Sequence, residues 1–378
     1  MSNPLKRLAE VGQSVWYDYI RRDLYTGPTL KRLIEDDGLR GMTSNPTIFQ
    51  KAIADSSLYD EDVRRQARTT RDAGQIFEAL AVADVRGASD AFRSVYDATG
   101  GDDGFVSIEV APHLARDTQG TIAEARRLWK SCDRPNVMVK IPGTAEGVPA
   151  IRQCVAEGIN INITLLFSVP RYREVMEAYL AGMEERISKR QPVDRIRSVA
   201  SFFVSRVDTY ADRKLDALAK ASSRPESDRA AARRLRGRLA IANAKIAYEA
   251  FEEVFGSARF AALKVKGVHV QRPLWASTSA KDPAYPDLYY VEALVAPESV
   301  DTMPPETFDA YRDHGDPKVR IREDLVGAHA AVRDLAAIGL DLDGISRELE
   351  EEGVKKFSDS YDQLLKAVAE KEKAMRVA

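Results

Sequence analysis

Cysteine is nearly absent from this chain: Cys132 and Cys154 are the two thiols among 378 residues. They form neither a CxxC pair nor a disulfide framework. Each reads as a small core filler, and their scarcity points to a reducing, cytoplasmic setting. Histidine is almost as rare. The four imidazoles, His113, His269, His314 and His329, show no HExxH or paired spacing, which argues against a metal site. Charge of one sign is missing too, since 56 basic and 58 acidic side chains leave a formal net charge of −2. That balance gives no global attraction to nucleic acid or to a membrane surface. Apolar runs such as Val199–Val204 are far too short to span a bilayer. Met1–Ile20 holds no basic start leading into an apolar core, so no secretory signal is expected there. No GxGxxG follows the first strand candidate, which leaves a doubly wound nucleotide-binding sheet as the runner-up fold.

What is present is a substantial core, with 44% hydrophobic and 30% charged residues. Short β-rich segments alternate with helical stretches, the pattern of parallel βα units. The strand candidates are Ser14–Asp18, Gly41–Asn45, Phe105–Val110, Val137–Ile141, Asn160–Leu166, Ser198–Ser205, Arg272–Thr278 and Tyr289–Val295. Between them Thr121–Lys130, Tyr172–Ile187 and Ala328–Ile338 carry apolar residues at helical spacing. Eight strands in such a series predict an α/β fold, a single (β/α)₈ barrel domain over residues 1–378. Two stretches exceed ordinary connections. Residues 210–255 read as a helical insertion of two helices divided at Ser222–Ser227, and residues 298–317, rich in proline and acid, as an irregular excursion.

The strand ends carry the chemistry. Lys140 interrupts the β-branched run Val137–Pro142, where a buried ammonium loses hydration and is pushed toward the nucleophilic amine a Schiff-base enzyme needs. A lysine snorkelling to water or paired with a carboxylate would give the same pattern. The remaining ends present Asp18, Asn45, Glu109, Asn162 with Thr164, Ser201 through Arg206, and Ser277. One buried polar residue usually has a structural partner, but seven strands ending this way assemble a nucleophile, proton-transfer groups, amides and a basic anion site. Glu109, one strand before Lys140, reads either as a proton shuttle or as its buried ion-pair partner. Asp18 reads either as the acid/base at a cleaved carbon–carbon bond or as an N-cap.

Thr43–Thr47, Ser107–Val110, Val137–Pro142, Gly158–Ser168 and Ser201–Arg206 resemble, in order, segments of the transaldolases, and the likeness runs from about Asp18 to Pro297. Arg272–Thr278 is similar to the longer bacterial members. The resemblance implies a (β/α)₈ barrel with no metal or organic cofactor. It also implies transfer of a dihydroxyacetone unit from sedoheptulose 7-phosphate or fructose 6-phosphate to glyceraldehyde 3-phosphate or erythrose 4-phosphate, in the non-oxidative pentose phosphate pathway. By resemblance Lys140 is the Schiff-base lysine, Glu109 and Thr164 position the catalytic water, and Asp18 is the acid/base. Asn45 and Asn162 then hold the dihydroxyacetone moiety, while Ser201, Arg206 and Ser277 anchor the phosphate. One departure stands out: shorter transaldolases have an arginine where this chain has Ser279, and Lys281 is the nearby candidate to supply that cation.

Two rivals remain at this level. A Schiff-base aldolase would use the same residues and release its product instead of transferring it. A nucleic-acid-binding barrel would use the five arginines of Arg229–Arg238, although Ala230, Ala231, Leu235 and Leu239 give that stretch an ordinary packing side. The expectation is therefore sugar-phosphate substrates, no nucleic acid, no membrane, and a monomer or homodimer.

Overall fold

The computed structural model describes residues 3–377. Eight parallel strands close a barrel in chain order. They are β1 (Gln13–Asp18), β2 (Gly41–Thr43), β3 (Phe105–Glu109), β4 (Val137–Pro142), β5 (Ile161–Leu166), β6 (Ser198–Phe203), β7 (Gln271–Ala276) and β8 (Ser299–Met303). Every residue of β4, β5 and β6 is buried, because these strands face packed barrel interior on one side and helices on the other. β1 closes the barrel against β8, with Trp16 opposite Thr302, and pairs on its other edge with β2, where Trp16 faces Gly41. A Cβ at Gly41 would lie 2.5 Å from the Trp16 ring, so only glycine admits the indole at this point of the wall.

Several βα connections end in a side-chain cap that fixes where the next helix starts. Asn45 caps Pro46–Ala54, Asp117 caps Thr118–Cys132 and Ser168 caps Val169–Ser188, each accepting from a first-turn backbone N–H. No helix among the described residues is long and apolar enough to cross a membrane.

Seven of the eight strand expectations fall on strands, with ends shifted by one or two residues. The eighth does not. Tyr289–Val295 is a helix over Tyr289–Ala293, and β8 lies instead inside the stretch read as an irregular excursion, followed by the helix Pro305–His314. A short apolar run is ambiguous between helix and strand, and Asp301 masked the strand signal of Ser299–Met303. Residues 210–255 also differ from their reading. They hold the end of helix Ser205–Lys220 and two further helices, Glu226–Leu235 and Leu239–Phe255. The second break falls at Gly237, whose φ of 73° reverses the chain while its N–H donates to Asp212.

The helix Leu342–Val377 was not marked by the sequence reading at all. It packs on Pro46–Ala54 and on Ser205–Lys220, both of which begin at the C-terminal ends of strands, and so lies over the barrel mouth. Its Gly353 approaches the wall so closely that a Cβ there would sit 2.9 Å from Leu165.

Candidate active site

Lys140 stands near the C-terminal end of β4 and is only 5% exposed. Strand register sets its neighbours: Glu109 lies opposite it on β3 and Asn162 opposite it on β5. The ammonium donates to the Ser44 carbonyl at 3.1 Å, and its nitrogen is 3.7 Å from Glu109 Oε2. That separation is an ion pair but not a hydrogen bond. Glu109 Oε2 is buried without a hydrogen-bond partner, and so is the hydroxyl of Thr164, two residues beyond Asn162 on the same strand. Burial pushes the Glu109 carboxyl up to about 7, with Lys140 opposing and Asp18 reinforcing the rise.

Asp18 ends β1 and accepts from Thr43 Oγ1 at 2.6 Å, and that hydroxyl in turn lies 2.7 Å from Thr302 Oγ1 on β8. Burial raises its pKa as well, against the pull of Lys140, the Thr43 hydrogen bond and Arg206. Asp18 is therefore no helix cap. Asn45 does act as one, taking the Ile48 N–H on Oδ1 at 3.0 Å, which leaves its amide N–H₂ as the free end. Asn162 is fully buried and spans three strands, donating to Ser107 Oγ at 3.0 Å and accepting from Ser201 Oγ at 2.7 Å.

Arg206 is the second residue of helix Ser205–Lys220. Among the described residues no carboxylate pairs with it. Its guanidinium carbon lies 4.9 Å from the Phe203 ring centroid and 5.7 Å from that of Phe357, which comes from the C-terminal helix. Burial lowers its pKa, while Asp18, Glu352 and Glu109 oppose that from a distance. An arginine held over two aromatic rings with no ion pair keeps its N–H donors for an anion. Ser277 meets the residue before Arg206, the two hydroxyls of Ser205 and Ser277 lying 3.0 Å apart. Lys281 is exposed and turns back to donate to Ser279 Oγ at 2.5 Å.

The structure thus gathers Lys140, Glu109, Asp18, Asn162, Thr164, Ser201 and Arg206 at one end of the barrel, with Asn45 and Ser277 at its rim. Sequence reasoning missed Thr43, Thr302, Ser107 and the Ser44 carbonyl, along with the aromatic walls Phe203 and Phe357. Thr43 and Ser107 sat inside segments already singled out; Thr302 was lost with β8, and Phe357 with the C-terminal helix. Among the described residues no group of three or more His, Cys, Asp or Glu is placed to hold a metal ion. In the arginine-rich stretch, Arg229 and Arg233 pair with Glu226, Arg236 with Asp216 and Asp282, and Arg238 with Asp324.

Comparison with known proteins points to a single family. The sequence model of the family described as Transaldolase/Fructose-6-phosphate aldolase matches residues 15–368. The chain is 47% identical to a transaldolase of Frankia alni over 371 residues, covering 98% of each protein. It is 48% identical to one of Saccharopolyspora erythraea over 371 residues, 97% of each, and 47% identical to one of Thermobifida fusca over 373 residues, 98% of each.

Proposed function

The chain belongs to the transaldolase/fructose-6-phosphate aldolase family, and we propose that it transfers a dihydroxyacetone unit between sugar phosphates through an imine on Lys140. The observation that carries this reading is the buried Lys140 amine set between an ion-pairing carboxylate and a carbonyl, with an unpaired arginine at the same barrel end. The deprotonated amine attacks the C2 carbonyl of a ketose phosphate and gives a carbinolamine. Loss of water, for which Glu109 supplies and takes protons and Thr164 orients the water, leaves a protonated imine. The imine withdraws electrons, so the C3–C4 bond breaks with its pair passing into an enamine, and Asp18 takes the proton of the C4 hydroxyl as the aldose phosphate leaves. The enamine then attacks the aldehyde carbon of the acceptor, Asp18 returns the proton to the new hydroxyl, and water hydrolyses the imine.

Several groups serve the waiting enamine. Asn45 and Asn162 hold its hydroxyls without adding charge, and Arg206 with Ser201 and Ser277 fixes the phosphate at a set distance from the reacting carbon. The helix Leu342–Val377 over the mouth restricts water and stray protons that would quench it. We place this reaction in the non-oxidative pentose phosphate pathway and in the cytoplasm, where the two buried free thiols stay reduced.

Borohydride reduction in the presence of fructose 6-phosphate tests the reading. The label is expected on Lys140, and Lys140→Arg, which keeps charge but cannot form an imine, should lose turnover while staying folded. Labelling of another lysine, or turnover retained in the arginine variant, would sink it. Turnover of the donor without an aldose acceptor would mark an aldolase that releases its product.

A further inference from the structure

Asp301 occupies the middle of β8, opposite Trp275 on β7, and is fully buried. Its neighbour Thr302 faces the barrel interior, where it meets Thr43, so alternation turns Asp301 outward toward the helix Pro305–His314. One of its oxygens accepts from Thr278 Oγ1 at 2.9 Å, and the other has no partner. An apolar residue would fill this outer layer at lower desolvation expense, so the carboxyl calls for a reason.

The reason lies at Thr278, the residue after Ser277. Ser277 has a φ of 57°, the left-handed region that a serine adopts only when its surroundings hold it there. One side of the clamp is visible on the helix that carries Arg206. Ser205 N–H donates to the Ser277 carbonyl at 3.0 Å, and the two hydroxyls meet at 3.0 Å. The other side is the buried Thr278 hydroxyl, which donates to Asp301 Oδ1 on β8. We propose that Asp301 is a positioning residue for the phosphate end of the site: by tethering Thr278 to β8 it keeps Ser277 against Ser205, at the start of the helix that carries Arg206. The proposal rests on the reading that Arg206 and Ser277 take the substrate phosphate. Burial pushes the Asp301 carboxyl up to about 8, so near neutral pH it stands protonated and the tether needs only its acceptor oxygen. Asparagine keeps that oxygen in place; valine removes it.

The test compares Asp301→Val, Asp301→Asn and Thr278→Val with the unaltered enzyme, using fructose 6-phosphate and unphosphorylated fructose as donors. Asp301→Val is expected to raise KM for the phosphorylated donor about tenfold, the size of one lost hydrogen bond to a charged ligand. It should leave kcat, and kcat/KM for fructose, within about twofold. Thr278→Val should reproduce the pattern from the donor side and stands in if Asp301→Val does not fold. Asp301→Asn should restore the low KM. Equal losses on the two donors, an unchanged KM, or failure of asparagine to rescue would overturn the tether. Arg206→Ala in the same assay separates the two layers of the argument. If it discriminates between donors while Asp301→Val does not, the tether alone fails; if Arg206→Ala is itself indiscriminate, the phosphate assignment fails with it.

Discussion

The two ends of the barrel treat their buried charges in opposite ways. At the N-terminal end a cavity of about 550 Å³ is lined by Ser14, Arg40, Asp103, Met138, Arg197 and Arg272 among others. Its buried charges, Asp103 and Arg197, are fully paired. Asp103 accepts from Ser14 at 2.5 Å, Trp16 at 3.1 Å and Arg272 at 3.0 Å, and Asp102 takes Arg197 at 2.8 Å and His269 at 3.3 Å. Those partners hold the Asp102 carboxyl down to about 2, the His269 hydrogen bond first among them. At the C-terminal end Lys140 and Glu109 stand 3.7 Å apart, the Thr164 hydroxyl and Glu109 Oε2 lack hydrogen-bond partners, and Arg206 has no ion pair among the described residues. The candidate site therefore lies away from this cavity, at the opposite end of the barrel. Unpaired or loosely paired charge, not volume, is what sets the candidate site apart, in keeping with the division of such barrels into a stabilising bottom and a catalytic top.

The sharpest break of that comparison is at Glu109. Glu109→Gln keeps the shape and removes the proton carrier, so turnover should fall about 10²–10⁴-fold with little change in substrate affinity. Stability should move the other way. The folded carboxyl is held above its unfolded value, up to about 7, so the native state binds the extra proton at intermediate pH. Stability from this group is thus highest in acid and declines as pH rises through about 7. Glutamine escapes that decline. The variant should be more stable than the parent near about pH 8 and no different near about pH 4. Thermal melts at the two pH values check the sign, and a variant less than about tenfold impaired would reduce Glu109 to a structural partner of Lys140.

The opposite end should answer with stability alone. Asp103→Ala strips a buried acceptor from Ser14, Trp16 and Arg272 together and leaves the Arg272 guanidinium, 16% exposed, without its carboxylate. Breaking such a pair costs about 3–5 kcal/mol. Denaturant unfolding should show a loss of that order, while kcat and KM per folded molecule stay close to the parent's. Altered kinetics without lost stability would erase the contrast between the two ends.

Most of the reactive end was legible because each βα unit is local: a polar residue closing an apolar strand arrives at the mouth whatever the rest of the chain does. Lys140, Glu109 and Asp18 could be placed this way, as could the closed barrel. What escaped depends on packing between distant segments. β8 hides behind Asp301, whose charged letter reads as solvent though its side chain is buried against β7. The stretch Tyr289–Val295 is apolar enough for a strand yet coils, since periodicity cannot settle so short a run. Phe357 reaches Arg206 from a helix 151 residues further along the chain, an encounter no local pattern encodes. The N-terminal end was equally invisible: nothing in the sequence joins Asp103 to Arg272.

The smallest expected effect concerns Lys281, and it refines what an unpaired cation at the mouth is worth. Arg206 lies over two rings that orient the plane of its donors, whereas Lys281 is exposed and already turned back onto Ser279. A flexible, hydrated ammonium contributes charge without a defined geometry. Lys281→Ala should therefore raise KM for phosphorylated donors only about two- to fivefold, the scale of an exposed ion pair, with kcat unchanged. The contribution is long-range and solvent-screened, so it should shrink at about 1 M salt, where the screening length falls to about 3 Å. Arg206→Ala should keep most of its penalty under the same conditions, because its site is shielded from solvent ions. KM measured for both variants at low and high salt separates these outcomes. A Lys281 effect that survives high salt, or equals that of Arg206→Ala, would mean that Lys281 grips the phosphate directly in place of the arginine absent at Ser279.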